Sequence, residues 1–164
     1  MNGLTSNQNL LSQVSFKLVI NSHEFANIEY FAVGANLPGI SISEAAANFR
    51  NQAGFVPGEH MVFEPLNIRL AIDEDFVGYT ELFRWLKSHT NETDLKVADI
   101  SLLVMSSHNN VTRTFTFVNA FPTALGQIDF NVQATDVEYA YTDVTFRYDY
   151  FKIDGVGDNG QIVC

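Results

Sequence analysis

Cysteine is all but missing. The only one, Cys164, is the last residue, so no disulfide can form within the chain and no cluster of thiolates can hold a metal. Basic residues are scarce: 9 Lys and Arg stand against 19 Asp and Glu, for a formal net charge of −10. That excludes a phosphate-gripping surface, because affinity for nucleic acid comes from clustered cations that release counterions. No apolar run approaches the roughly 18 residues of a membrane-spanning helix. Met1–Gln8 is polar and uncharged, unlike a secretory leader, so the chain reads as made and kept in a cytosol-like compartment. Catalytic patterns are absent too: there is no Gly-x-Ser-x-Gly elbow, no phosphate-cradling glycine loop ahead of a helix and no Cys/His pairing.

What is present is core material. Apolar residues make up 46% of the 164, with 14 Phe, 6 Tyr and 1 Trp, which excludes disorder by low hydrophobicity and fits one domain. Met1 to Leu11 is small and polar and reads as a flexible arm, residues 12–151 as the domain, and residues 152–164 as a flexible glycine-rich extension.

Period-two alternation marks most of the body as strands. Val14, Phe16, Leu18 and Ile20 alternate with polar neighbours, and so do Leu66, Ile68, Leu70 and Ile72. Ala26–Val33 is a further apolar stretch, and Ile40–Ser43 a short strand. Ile100–Met105 and Val111–Val118 form a hairpin turning at His108-Asn109-Asn110, Phe121-Pro122 breaks the run, and Gln127–Val132 gives a short strand. Val137–Phe151 gives a long strand whose apolar phase shifts near Thr142-Asp143, as a bulge would cause.

One segment has helical spacing, Glu74–Ser88, with Tyr79, Leu82, Phe83 and Leu86 as its apolar stripe. Trp85 lies off that stripe, as a core margin or a contact for another subunit. Ala45–Glu59 carries few large apolar residues and reads as a long loop leaving the body, of the kind that is either functional or mobile. The expected fold is therefore mainly β, an antiparallel sandwich or barrel with one flanking α-helix.

Candidate chemistry yields to plainer explanations. His23, His60, His89 and His108 lie on separate turns without ligand spacing and read as surface residues. Asp73-Glu74-Asp75 could offer oxygens to a cation, but charge compensation at a helix start accounts for it. The Asp154–Gly160 stretch lacks the alternating ligands and closing Glu of a calcium loop. No catalytic, cofactor-binding or metal residue is assigned.

The order of segments resembles the tail tube protein of contractile-tailed, T-even-type bacteriophages. It runs from the strand at Val14–Ile20 through Ala35-Asn36-Leu37-Pro38-Gly39 and Asn48-Phe49-Arg50-Asn51 to Pro57-Gly58-Glu59. The alternating strand at Leu66–Ile72, the Trp-containing helix, Phe121-Pro122-Thr123 and Arg147-Tyr148-Asp149-Tyr150 follow. The resemblance implies the fold shared with type VI secretion tube proteins and a structural virion protein, not an enzyme. It implies hexameric rings whose inner sheets join into a continuous barrel and stack as the inner tail tube, assembled in the host cytoplasm. Sheath, baseplate and tail-terminator proteins would be partners, and DNA would pass through the lumen without specific binding. Asn48, Arg50, Asn51, Gly54, Pro57, Gly58 and Glu59 would form the ring-stacking loop, with Trp85, Asn109, Asn110, Tyr148 and Tyr150 as candidate subunit contacts. Net charge adds the expectation of an acidic bore. A bacterial secretion tube, a specialised ring at the baseplate or the terminating end, and a small β-barrel hydrolase or metal protein remain as alternatives.

Overall fold

Alternating burial along the strands builds two sheets that share one core. In the computed structural model the described residues are 10–11, 13, 15–22, 26–49, 52–91, 96–131 and 139–154. In chain order the elements are β1 (Phe16–Ile20), α1 (Ala26–Phe31), β2 (Ala32–Ala35), β3 (Ile40–Phe49), β4 (Gln52–Phe63) and β5 (Leu66–Ala71). There follow α2 (Val77–Asn91), β6 (Ala98–Met105), β7 (Val111–Leu125), β8 (Tyr141–Arg147) and β9 (Tyr150–Asp154).

Strand β7 belongs to both sheets. Its first half pairs with β6 on one side and β9 on the other, and β1 extends that sheet beyond β6. Its second half, Phe121–Leu125, pairs with β8, followed outward by β5 and β2. Every pairing is antiparallel. The corner between the halves is Asn119, at φ 55°. Asn tolerates this left-handed region better than a branched residue does. Its N–H donates to Asp99 Oδ1 at 3.0 Å and its Nδ2 donates to Asp149 Oδ2 at 2.6 Å. The Asp149 N–H donates in turn to the Val118 carbonyl at 3.1 Å, so β7 and the β8–β9 join bend at the same level.

The core lies between the sheets. Leu18, Ile100 and Phe117 come from one sheet, Leu66, Ile68, Val144 and Phe146 from the other, and Leu82 and Trp85 from α2. Trp85 is 1% exposed, packs at a tilt against Phe146 with ring centres 5.7 Å apart and donates its indole N–H to the Lys96 carbonyl at 2.8 Å. Its polar atom thus has a partner, which burial of an indole requires. The start of α2 is capped by Asp73, whose carboxylate accepts from the Val77 and Gly78 N–H groups at 3.0 and 3.4 Å. Glu29 of α1 accepts from the Ile20 N–H and ties that short helix to β1.

Several sequence expectations are corrected. The main helix begins three residues later than expected, and its buried face runs through Gly78, Leu82 and Trp85 while Phe83 is exposed. Ala26–Phe31 is a second, short helix that leads straight into β2. Within Ala45–Glu59, expected as a loop, residues 45–49 and 52–59 are strand and belong to the hairpin β3–β4. Phe121-Pro122 does not end a strand but lies inside β7. Gln127–Asn131 forms no strand, and Val132 lies outside the described residues. The break in the last long strand is at Tyr148-Asp149, not Thr142-Asp143. Thr142 is buried in phase with Val144 and Phe146 because its hydroxyl donates to the Gly126 carbonyl at 3.0 Å. Residues 152–154, expected in a flexible extension, complete β9, and 155–164 lie outside the described residues, as do 1–9 of the arm.

The corner makes a prediction. Asn119→Gly keeps the backbone conformation and loses only the side-chain hydrogen bond, about 1 kcal/mol. Asn119→Val adds left-handed strain of about 1–3 kcal/mol. Urea unfolding of both variants checks this, and equal midpoints would mean that backbone conformation at the corner is immaterial.

Candidate functional site

The surface that invites assembly is made of sheet edges. In the sheet ordered β2, β5, β8 and β7, among the described residues strand β2 has a single strand neighbour and residues 121–125 of β7 pair only with β8. Unpaired edges carry backbone donors and acceptors in a row, which recruit another chain unless blunted. Pro122 fits this placement, since a residue without an N–H is tolerated in a strand at an edge. The two edges match in length, with four residues in β2 and a comparably short run in β7. They also match in direction. Four alternating strands leave β2 and β7 antiparallel, so a copy rotated about an axis along the strands sets its β2 antiparallel to the first copy's β7.

The outward face of this sheet is polar. Arg69 on β5 faces Asp143 on β8 in register, and its guanidinium donates to both carboxylate oxygens, at 3.0 Å from Nε and 3.3 Å from Nη2. One step along, the Thr145 hydroxyl donates to Asn67 Oδ1 at 2.9 Å. The ion pair is 59% and 63% exposed, so it contributes at most about 1 kcal/mol to stability. Its consequence is that neither charge faces solvent without its opposite beside it.

The hairpin β3–β4 forms a two-stranded sheet of its own. It exposes Ile40, Ile42, Phe55, Val56, Met61 and Val62. A lone two-stranded hairpin is marginal in water, and a contiguous exposed apolar patch marks an interaction surface. The register slips between Ile42 and Glu44, where Gly58 lies so close to Ser43 that a Cβ would sit 2.5 Å from the Ser43 carbonyl oxygen. Gly58 therefore permits the bulge.

Of the stacking residues expected from sequence, Asn48, Gly54, Pro57, Gly58 and Glu59 are on this hairpin, whereas Arg50 and Asn51 lie outside the described residues. Trp85 is removed from the contact candidates, since its ring is buried in its own chain. Asn109 and Asn110 are exposed at the β6–β7 turn, with Asn109 at φ 59°. Tyr150 is on β9 under the Lys152 ammonium, 5.7 Å from the ring centre. Tyr148 packs edge-on to Phe117 at 4.9 Å and donates its hydroxyl to the Glu64 carbonyl at 2.6 Å. Burial pushes this phenol up to about 12, with the Arg147 guanidinium pulling down and the Glu64 carboxylate adding to the rise. His60 and His108 are exposed, but His89 packs against Phe121 at 5.6 Å, and His23 lies outside the described residues. Among the described residues no group of three or more His, Cys, Asp or Glu is placed to hold a metal, and no helix is long and apolar enough to cross a membrane. The open edges were missed in the sequence, although Pro122 inside an otherwise β-patterned run was a signal for one of them.

No family model matches the chain, and no curated protein matches it by sequence. Solved structures do match. A chain of the sheath–tube complex of PVC, an extracellular contractile injection system in its extended state, is 20% identical, with 91% of this chain and 94% of that one covered and a TM-score of 0.68. A chain of the anti-feeding prophage cap, described as a tube-terminating cap, is 17% identical over 94% and 97% at a TM-score of 0.69. The Hcp1 protein from E. coli EAEC 042 is 7% identical over 89% and 94% at 0.55. The fold is thus the one found in tube and terminator proteins of contractile injection systems and in type VI secretion tube proteins, mainly antiparallel β with a flanking helix.

Tyr148 supplies a pH prediction. A folded pKa above the ordinary 10.0 means that the neutral phenol's contribution is complete below pH 10 and fades as pH rises through about 12. Denaturation midpoints should therefore fall across that window in the parent, and fall less in Tyr148→Phe. Equal alkaline losses in the two proteins would contradict the assignment.

Proposed function

We propose that this chain is the repeating subunit of the inner tube of a contractile tail. Copies join edge to edge into rings, and the rings stack. The observation that carries this reading is the pair of edges left open among the described residues of a four-stranded antiparallel sheet, similar in length and opposite in direction. A head-to-tail contact of this kind closes into a ring when its rotation divides the circle. Six copies would set about 24 strands side by side, and at ~4.8 Å spacing the ring is roughly 40 Å across at the backbone. The layer holding β1, β6 and α2 needs the larger circumference and lies outside.

The apolar hairpin β3–β4 would join one ring to the next, through residues including Asn48, Gly54, Pro57, Gly58 and Glu59, and Arg50 and Asn51 are proposed to take part. Asn109, Asn110 and Tyr150 are further contact positions. Sheath, baseplate and terminator proteins are the expected partners, the subunit has a structural and not an enzymatic role, and the tube of a phage virion, conducting DNA, is the setting proposed. The likeness to chains of extracellular contractile injection systems favours a second reading in which the same tube serves a particle of that kind.

Negative-stain microscopy of the purified protein tests the proposal: rings or tubes with an open bore are expected. Phe55→Asp with Val56→Asp should abolish stacking while the far-ultraviolet spectrum and urea midpoint stay close to the parent's. A dispersed monomer under all assembly conditions would overturn the proposal, and tubes from the double variant would remove the hairpin from it.

A further inference from the structure

We propose that Lys17 and Glu29 close the edge of β1 to other chains, so that strand-to-strand association is confined to the sheet that ends in β2 and β7. The proposal rests on the edge-to-edge reading above for the strands that associate, and adds which residues keep a further edge from doing so.

The molecule has a second pair of edges. Among the described residues β1 pairs only with β6, and β9 only with β7. Length does not separate these edges from the first pair, since β1 and β9 have five residues each and β2 has four. Charge does. β2 reads Ala-Val-Gly-Ala and residues 121–125 of β7 read Phe-Pro-Thr-Ala-Leu, without one ionisable side chain. β1 carries Lys17, and β9 carries Lys152 and Asp154.

The backbone of β1 shows how its edge is closed. The Asn21 N–H donates to the Asp99 carbonyl at 2.8 Å, and the Met105 N–H to the Ser15 carbonyl at 2.9 Å. Residues of an antiparallel strand alternate between turning their backbone groups to the partner and away from it, so Phe16, Leu18 and Ile20 turn theirs to the open side. At Ile20 both groups are taken within the chain: the N–H donates to the Glu29 carboxylate of α1, and the carbonyl accepts from the Ser22 N–H at 2.7 Å. A strand arriving there has to displace a charge-assisted hydrogen bond.

Phe16 and Leu18 remain, and Lys17 stands between them with its side chain exposed while that of Leu18 is buried. A second copy's β1 laid antiparallel and centred on Lys17 sets two ammoniums directly opposite. Centred on Leu18, it sets them on a diagonal. Like charges directly opposite destabilise a sheet, and a lysine on an edge strand blunts it against such pairing.

The test compares Lys17→Val, Lys17→Val with Glu29→Ala, and Lys87→Val, which removes the same charge from the exposed face of α2. Loss of a cation from a chain of net charge −10 increases repulsion between copies, so net charge alone predicts slower aggregation in all three. Lys17→Val should instead form thioflavin-positive aggregates about fivefold faster than the parent, and the double variant faster still. Lys87→Val should not exceed the parent, and Lys17→Arg should match it. The urea midpoint of Lys17→Val should stay close to the parent's, which separates edge pairing from unfolding. In the aggregates, hydrogen exchange at the Phe16 and Leu18 amides should slow relative to the soluble protein. Aggregation of Lys17→Val no faster than that of Lys87→Val, or aggregates in which those two amides exchange as before, would overturn the proposal. A parent protein that never forms rings would instead count against the ring reading, and leaves the comparison of aggregation rates intact.

Discussion

The bend at Asn119 is the constraint on which the rest of the structure depends. One residue in the left-handed region, held by Asp99 on one side and Asp149 on the other, turns β7 out of one sheet and into the next. Because β8 and β9 break at the same level, a single pair of long strands serves two sheets. The sheets can then face each other over a shared core without a closed barrel. An open arrangement of this kind keeps edges, and the edges are what another copy would use.

The buried core and the exposed apolar surface lie in different parts of the molecule. The core is aliphatic and aromatic, completed by Trp85 from α2, and the few polar groups that enter it are paired, as Thr142 and the Trp85 indole are. The hairpin β3–β4 adds little to that core and exposes its apolar side chains instead. Exposed apolar side chains of this kind mark an interaction surface.

Exposed charge follows the same division. The Arg69–Asp143 pair adds little to folding because both partners are well solvated. A composition of −10 describes the whole surface and does not say which wall carries it.

From the sequence alone, the period-two runs at Phe16–Ile20 and Leu66–Ala71, the β6–β7 hairpin with its Asn109 turn, the helix carrying Trp85 and the acidic helix start at Asp73 were legible, because each is set by local spacing and local electrostatics. Four features were not: the burial of Trp85, the pairing inside Ala45–Glu59, the passage of β7 through Pro122, and the location of the last break. Each depends on a partner distant in the chain. Trp85 is buried by Phe146, the hairpin is paired across a bulge that only Gly58 allows, Pro122 is tolerated because no described strand pairs beyond it, and the break at Tyr148-Asp149 is fixed by Asn119. Periodicity reports which side chains avoid water. Which strands meet, and which edges stay open, is decided by packing at long range.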